Sequence, residues 1–311
     1  MAPARVGTDS RKTSAALLSI ASNTVLIALK IVAGVITGSV AILTEALHSG
    51  IDLIASVIAY ISVRRSDQPP DRDHPFGHQK YENLAAAFEG VLILVGAGIV
   101  VFESVRRLGG EANELEEIPL GIAIIALTIV VNVVVSTFLG RRARETESAA
   151  LEGDAAHLRT DAATSIAVLL GLALVHLTGY DWLDPVIALV VAVAIVTAGW
   201  RLVTRSSRVL VDETLPDDEL EAIRQVVLRF GPRGVAGFHK LRARHAGAFH
   251  HVDMHVQFRA GTTLEDAHDV AHALQDEIAA VLDGADVLIH LEPEDRVRPG
   301  TEVPRGDFNE G

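Results

Sequence analysis

Apolar residues fall in long blocks before Val211 and in short periodic patterns after it. A bilayer core about 30 Å thick takes roughly 20 apolar residues in helical form. Six stretches reach that length, some across polar interruptions: Ser14–Ile36, Val40–Val63, Leu84–Val105, Ile118–Leu139, Ser148–Leu177 and Leu183–Val203. The first does not read as a cleavable signal peptide, because no A-x-A-like site follows it and five more spans come after. Beyond Val211 the pattern is that of a small soluble domain. Asp217–Phe230 reads as an amphipathic helix behind Pro216, and Phe238–Arg244 and His250–Phe258 alternate like paired strands around Ala246–Gly247. Thr263–Leu282 reads as a helix with Thr262 or Thr263 as N-cap, and Val287–Leu291 as a last short strand. The expected fold is a six-helix transmembrane domain over 14–208, behind a cytoplasmic segment 1–13. A small α+β domain in the order αββαβ follows over 209–295, with its helices on one sheet face, and then a disordered Pro-, Gly- and charge-rich tail over 296–311.

Charge at the span ends sets the expected orientation. Arg5, Arg11 and Lys12 precede the first span, Arg64, Arg65, Arg72 and Lys80 follow the second, and Arg141, Arg142 and Arg144 follow the fourth. Arg205 and Arg208 follow the sixth, whereas the opposite connections hold only Arg106 and Arg107, ahead of the acidic run Glu111, Glu114, Glu116 and Glu117. Both termini are therefore expected in the cytoplasm. Composition narrows the chemistry. Lys and Arg total 27 against 40 Asp and Glu, a net charge of −13 that argues against nucleic acid as a partner. The 311-residue chain has no cysteine, which removes disulfides and thiolate metal sites, and leaves its 13 histidines and its carboxylates as the strong metal ligands.

Two of the apolar blocks carry charge where charge is expensive. The second span reads Glu45-Ala-Leu-His48-Ser-Gly-Ile-Asp52, and the fifth reads Asp154-Ala-Ala-His157-Leu-Arg-Thr-Asp161. In each, His and Asp stand four apart, on one helix face. Counting at 1.5 Å per residue, His48 and Asp52 lie roughly 12 and 18 Å from the outer end of their helix, and His157 and Asp161 roughly 14 and 20 Å from the inner end of theirs. All four fall near the midplane, where each Asp costs roughly 2.5–3.5 kcal/mol. Two imidazoles and two carboxylates at one depth suit a tetrahedral divalent-metal site, with zinc the best match. Asp154 and Glu45 extend the two faces by a turn, as vestibule carboxylates or as ordinary helix-end acids.

Two further clusters lie outside the spans. Asp71, His74 and His78 share one loop, either as metal ligands or as solvated side chains. In the soluble domain, His239 lies near the start of one strand, His251, Asp253 and His255 share one face of the next, His268 and His272 share a helix face, and His290 and Glu292 stand two apart near the last strand. Their concentration predicts at least one metal site there. His245 and His250, at the turn, are read as ordinary surface or core residues.

On these motifs the chain resembles the cation diffusion facilitator family of proton-coupled divalent-metal exporters. The resemblance covers Ser14 to Asp295 and rests on the two intramembrane motifs, on Asp73-His74-Pro-Phe-Gly-His78-Gln-Lys80-Tyr-Glu82, on Val211-Asp212-Glu213-Thr-Leu-Pro216-Asp217 and on Val287-Leu-Ile-His290-Leu-Glu292-Pro293. It implies a transport site at His48, Asp52, His157 and Asp161, in the zinc-type His-Asp/His-Asp arrangement, and a loop site at Asp71, His74 and His78. It implies paired sites at His239, His255, His268, His290 and Glu292 in a metallochaperone-like domain that dimerises, with Glu292 standing where some relatives have Asp. Lys80 and Asp212 match a charge pair near the family's dimer hinge, although a surface ion pair is often energetically minor. The implied function is efflux of Zn²⁺ from the cytoplasm in exchange for protons, as a homodimer in the bilayer of the plasma (inner) membrane. Zinc serves there as cargo and as regulatory ion. No enzyme arrangement and no phosphate-binding G-x-x-x-x-G-K-[ST] motif occurs, so an organic cofactor or nucleotide is not expected. A passive metal channel and a membrane-anchored metal sensor are the alternatives. Cadmium, cobalt, iron and manganese are not separated from zinc by sequence.

Overall fold

A predominance of Ala, Val, Ile and Leu, with no internal proline past the first turn, lets each apolar block close its own backbone hydrogen bonds as a helix. The computed structural model describes residues 10–37, 40–109, 119–180, 182–282 and 284–304, with the backbone alone described at 37, 40–45, 47, 48, 51, 119–122, 172 and 176. Six long helices come first: α1 (Ser10–Thr37), α2 (Val40–Ser66), α3 (Lys80–Leu108), α4 (Pro119–Thr146), α5 (Ala149–Thr178) and α6 (Leu183–Leu210). Among the described residues α1, α3, α4, α5 and α6 are each long and apolar enough to cross a membrane. The remaining helix, α2, has 27 residues, several of them outside the described side chains. Ser148 caps α5 by accepting from Leu151 N, and Gly179 ends the helix in the left-handed conformation that a Cβ disfavours.

The helical unit is built inside out relative to a soluble protein. Its exterior carries Val25, Val32, Ile99, Phe102, Val130, Val134, Val190 and Val193, while Ser19, Asn23, Lys30, Asp52, Ser56, Glu89, Asn132, Asp154 and His157 are buried. That distribution fits a hydrocarbon surround and a polar interior. Small residues make the helix contacts: Ala15, Ala16, Ala59, Ala85, Ala150 and Ala155 share one cluster with Val63, Leu139, Leu151 and Leu158. Glu82, at the start of α3, accepts from Lys12 Nζ (3.1 Å) on α1, from Ser66 Oγ (2.8 Å) on α2 and from Ser148 Oγ before α5, tying four helix ends together.

The chain divides into two compact units between residues 208 and 209. In the second, α7 (Asp217–Arg229), β1 (Val235–Ala246), β2 (Phe249–Phe258), α8 (Leu264–Val281) and β3 (Ala285–Pro293) follow in the expected order. The sheet order is β1-β2-β3, with β1 antiparallel to β2 and β3 parallel to it through the α8 crossover. Thr263, rather than Thr262, caps α8 by accepting from Asp266 N. Ile223, Val226 and Val227 of α7, and Ala267, Ala271, Leu274 and Ile278 of α8, pack on Val252, Met254 and Val256 of β2. Between His239 and Arg242, β1 holds one extra residue, with Lys240 at φ +50°, a bulge that reverses the side-chain alternation beyond it. The expected disordered tail is corrected over 296–304. Val303 is buried in the core and donates its N–H to Ala236 O, and Glu302 bridges to Gly237, so apolar burial holds this stretch in place despite its composition. Residues 305–311 lie outside the described set, as do residues 1–9.

Candidate metal centre

In the helical unit, α5 presents His157 and Asp161 one turn apart, and α2 supplies Asp52 against them. His157 Nε2 lies 3.1 Å from Asp52 Oδ1 and 3.7 Å from Asp161 Oδ2. One donor atom from each of the three residues falls within 4.8 Å of the others. Donors held about 2.0–2.1 Å from one zinc ion lie roughly 3.3 Å apart in a tetrahedron, so the spacing is that of ligands around a small cation. The backbone of His48 sits one turn before Asp52 on α2, but its side chain lies outside the described residues, as does that of Glu45.

Around this group the interior is polar. Asp154 is completely buried and accepts from Ser56 Oγ at 3.0 Å, and Ser56 in turn meets Ser19 Oγ (3.1 Å) and Asn23 Nδ2 (2.9 Å). Asp154 is therefore an interior acid, not one at an exposed helix end. Two further buried charges escaped the sequence reading. Lys30 donates to Ser49 at 2.7 Å, and both Glu89 carboxylate oxygens are buried with no hydrogen-bond partner among the described residues. Their only sequence signal is a lone charge within an apolar block.

The loop cluster is assembled locally. Asp71 Oδ1 accepts from Asp73 N (2.9 Å) and His74 N (2.7 Å), and approaches His74 Nδ1 (3.2 Å), while Asp71 Oδ2 lies 3.3 Å from His78 Nε2. The backbone amide of His74 is the main influence holding the Asp71 carboxyl below its ordinary range. The His74 and His78 rings stand 4.4 Å apart, so three donors converge within one turn of chain.

In the second unit His239 on β1, His255 on β2 and Glu292 on β3 converge across the sheet. His255 Nδ1 lies 2.7 Å from Glu292 Oε1, and His239 Nε2 lies 3.3 Å from Glu292 Oε2. The hydrogen bond from His255, supported by Gln257, pulls the Glu292 carboxyl down to about 2, and burial pushes His239 below its ordinary value. An ionised carboxylate and a neutral imidazole are the forms a metal requires. His290 flanks this group, its ring 4.6 Å from that of His255. His268 does not join it: it stands on the exposed side of α8, with its Nε2 3.1 Å from His272 Nε2. His251 is turned to Asp286 and Asp253 to Arg242. Asp212 pairs with Arg244 at 2.7 Å. A fourth convergence brings Glu219 of α7 to His245 and His250, the two turn histidines that the sequence presents as ordinary surface or core residues.

Residues 16–211 match the family model described as the cation efflux transmembrane domain. The chain belongs to the cation diffusion facilitator family. Residues 215–294 of this facilitator match the model described as the cytoplasmic domain of cation efflux proteins. A Synechocystis sp. protein described as an uncharacterised transporter is 36% identical over 278 residues, covering 89% of each chain. The cation-efflux pump FieF of Serratia proteamaculans is 33% identical over 280 residues, 90% of this chain and 92% of that one. A solved structure described as a putative zinc transporter, CzrB, in its zinc form, is 31% identical and covers 28% of this chain and 98% of its own, with a TM-score of 0.27. The facilitator is thus a membrane transporter of cations and not an enzyme.

Proposed function

We propose that this facilitator exports Zn²⁺ from the cytoplasm in exchange for protons, by alternating access around His48, Asp52, His157 and Asp161. The convergence of Asp52 on His157 and Asp161 across α2 and α5, at donor spacings of 3.1 and 3.7 Å inside an apolar helical unit, carries this reading. A mixed imidazole and carboxylate set favours zinc over the harder cations. Because imidazole binds metal only when neutral, arrival of the ion displaces protons, and protons arriving from the far side compete for His48 and His157 and release it. Rocking of helices moves the opening from one side to the other, so no covalent step is needed. The name of the FieF relative, a cation-efflux pump, supports transport in the direction of efflux. Both termini then lie in the cytoplasm, by the Lys and Arg bias, in the plasma membrane.

The loop group Asp71, His74 and His78 is read as a second metal site, and His239, His255 and Glu292 with His290 as the regulatory site of a dimeric cytoplasmic domain. His268, which within one copy stands with His272, is read as joining that site from a second copy. Reconstitution with a panel of metals and an imposed pH gradient tests the main reading. Uphill zinc accumulation that disappears when a protonophore collapses the gradient, and that Asp161→Ala abolishes in folded protein, is the expected result. Downhill flux alone, indifferent to the gradient, would make the protein a channel, and zinc transport by Asp161→Ala at the parent rate would misplace the site.

A further inference from the structure

We propose that Glu219, His245 and His250 form a separate divalent-metal site, for zinc or another borderline cation that takes imidazole and carboxylate ligands. His245 and His250 are direct cross-strand partners at the end of the β1–β2 hairpin, with ring centroids 4.6 Å apart. Such a pair presents two nitrogens to one side of a sheet at a spacing fixed by the strands. Glu219, in the first turn of α7, brings a carboxylate over them: its Oε2 lies 3.4 Å from His250 Nε2 and 3.9 Å from His245 Nε2. At 3.4 and 3.9 Å these separations are long for hydrogen bonds between the groups, yet close to the edge of roughly 3.3 Å between donors around tetrahedral zinc. Glu219 Oε2 is buried from solvent with no hydrogen-bond partner among the described residues. A buried carboxylate oxygen facing two imidazole nitrogens, with no bond of its own, is a polar group whose partner is missing. A cation supplies it.

The site is independent of the one at His239, His255 and Glu292, although both use the same hairpin. On β2, His250 and His255 are five residues apart, an odd number, so they point to opposite faces of the sheet. On β1, His245 and His239 are six apart, which an unbroken strand would place on one face. The extra residue at the Lys240 bulge removes that equivalence and keeps each histidine opposite its partner. His250 therefore shares the face of Val252, Met254 and Val256, which α7 covers, and Glu219 lies one turn before Ile223 on the side of α7 that packs there. A metal at this point joins the start of α7 to the tip of the hairpin, adding to the side-chain packing, the Thr214–Arg244 bridge and the Asp212–Arg244 ion pair that already link the two segments.

The test uses the purified full-length chain in detergent, stripped of metal and dialysed against buffered free zinc. The parent is compared with Glu219→Gln and with His250→Asn, which preserve shape and remove a ligand. The expected result is one fewer zinc ion per chain in each variant. In the parent, zinc is expected to slow amide exchange in the peptides over 217–221 and 244–251, an effect absent from both variants, while protection around His255 and His290 is kept. Glu219→Gln is the deciding variant if His250→Asn does not fold, because it leaves the hairpin untouched. Undiminished zinc in Glu219→Gln, or no zinc protection of either segment in the parent, overturns the proposal.

Discussion

Replacing one imidazole by a carboxylate isolates the influence of ligand type in the membrane. His157→Asp keeps a donor at 157 but substitutes hard oxygen for nitrogen, which favours manganese relative to zinc. The zinc-to-manganese flux ratio in vesicles is expected to fall by roughly tenfold, the lower range of losses seen when a metal's surroundings change. An unchanged ratio would show that this position does not set selectivity. In the cytoplasmic domain, Glu292 offers a pH test. Its folded value, about 2, lies below the ordinary 4.5, so the ionised carboxylate contributes stability that is fully present above 4.5 and lost as pH falls toward 2. In metal-free protein, the difference in denaturation midpoint between the parent and Glu292→Gln is expected to be constant above pH 4.5 and to close near pH 2; a difference independent of pH would refute the assignment. The residues legible in the sequence were those whose meeting is local. His157 with Asp161, and Asp71 with His74 and His78, are brought together by helical spacing or by one turn of loop. Glu219 was not legible, because its partners lie 26 and 31 positions away and meet it only through the packing of α7 on the hairpin. Lys30 and Glu89 were visible as charges, but their burial depends on helix arrangement rather than on spacing.

Helices in this unit approach through glycine where the interior must be thin. A Cβ on Gly90 of α3 would stand 2.7 Å from Val203 Cγ2 and 3.1 Å from the Val203 backbone N of α6, and one on Gly199 would meet Ile93 and Leu94. Backbone cannot yield as a side-chain tip can, so Gly90→Ala is expected to destabilise the helical unit by about 1–3 kcal/mol. On the same helix, a Cβ at Gly96 meets nothing within 4 Å. Gly96→Ala should therefore be neutral or stabilise by roughly 0.5–1 kcal/mol, through lower backbone entropy in the unfolded chain. Thermal midpoints of the two variants in one detergent decide this: equal midpoints would mean that α3 and α6 do not touch at Gly90. At the same scale, the long helices were readable because an apolar block of this length has few other options. The bulge at Lys240 was not, since period-two alternation over Phe238–Arg244 contains no mark of an inserted residue. The order of 296–304 was missed for the opposite reason: composition pointed to disorder, and one apolar side chain, Val303, outweighs it by entering the core.

Across the whole molecule, acidic charge and the proposed metal sites meet in the same cytoplasmic domain. The chain carries a net −13, and Asp266, Asp269 and Asp276 of α8 and Asp286 of β3 make the stretch from His255 to His290 acidic. Two copies brought face to face would repel, most strongly at low salt, where the Debye length is longest. His290 leaves 65% of its side chain exposed beside His255 and Glu292, so the group on this face of the sheet is open to a second copy, whereas Glu219 and His250 lie on the face that α7 covers. Zinc bound on the open face is expected to offset the repulsion and to favour the closed pair by its differential affinity. Because the chain has no cysteine, Gln225→Cys provides a single labelling position on the exposed side of α7 in each copy. The distance between labels in the homodimer is expected to shorten as zinc is added, and the zinc-free distance to shorten with salt alone. His255→Ala with His290→Ala should abolish the zinc response, and Glu219→Gln should leave it in place. A distance indifferent to zinc in the parent, or an undiminished response in the double variant, would remove these histidines from regulation; loss of the response in Glu219→Gln would show that the two faces of the sheet are coupled.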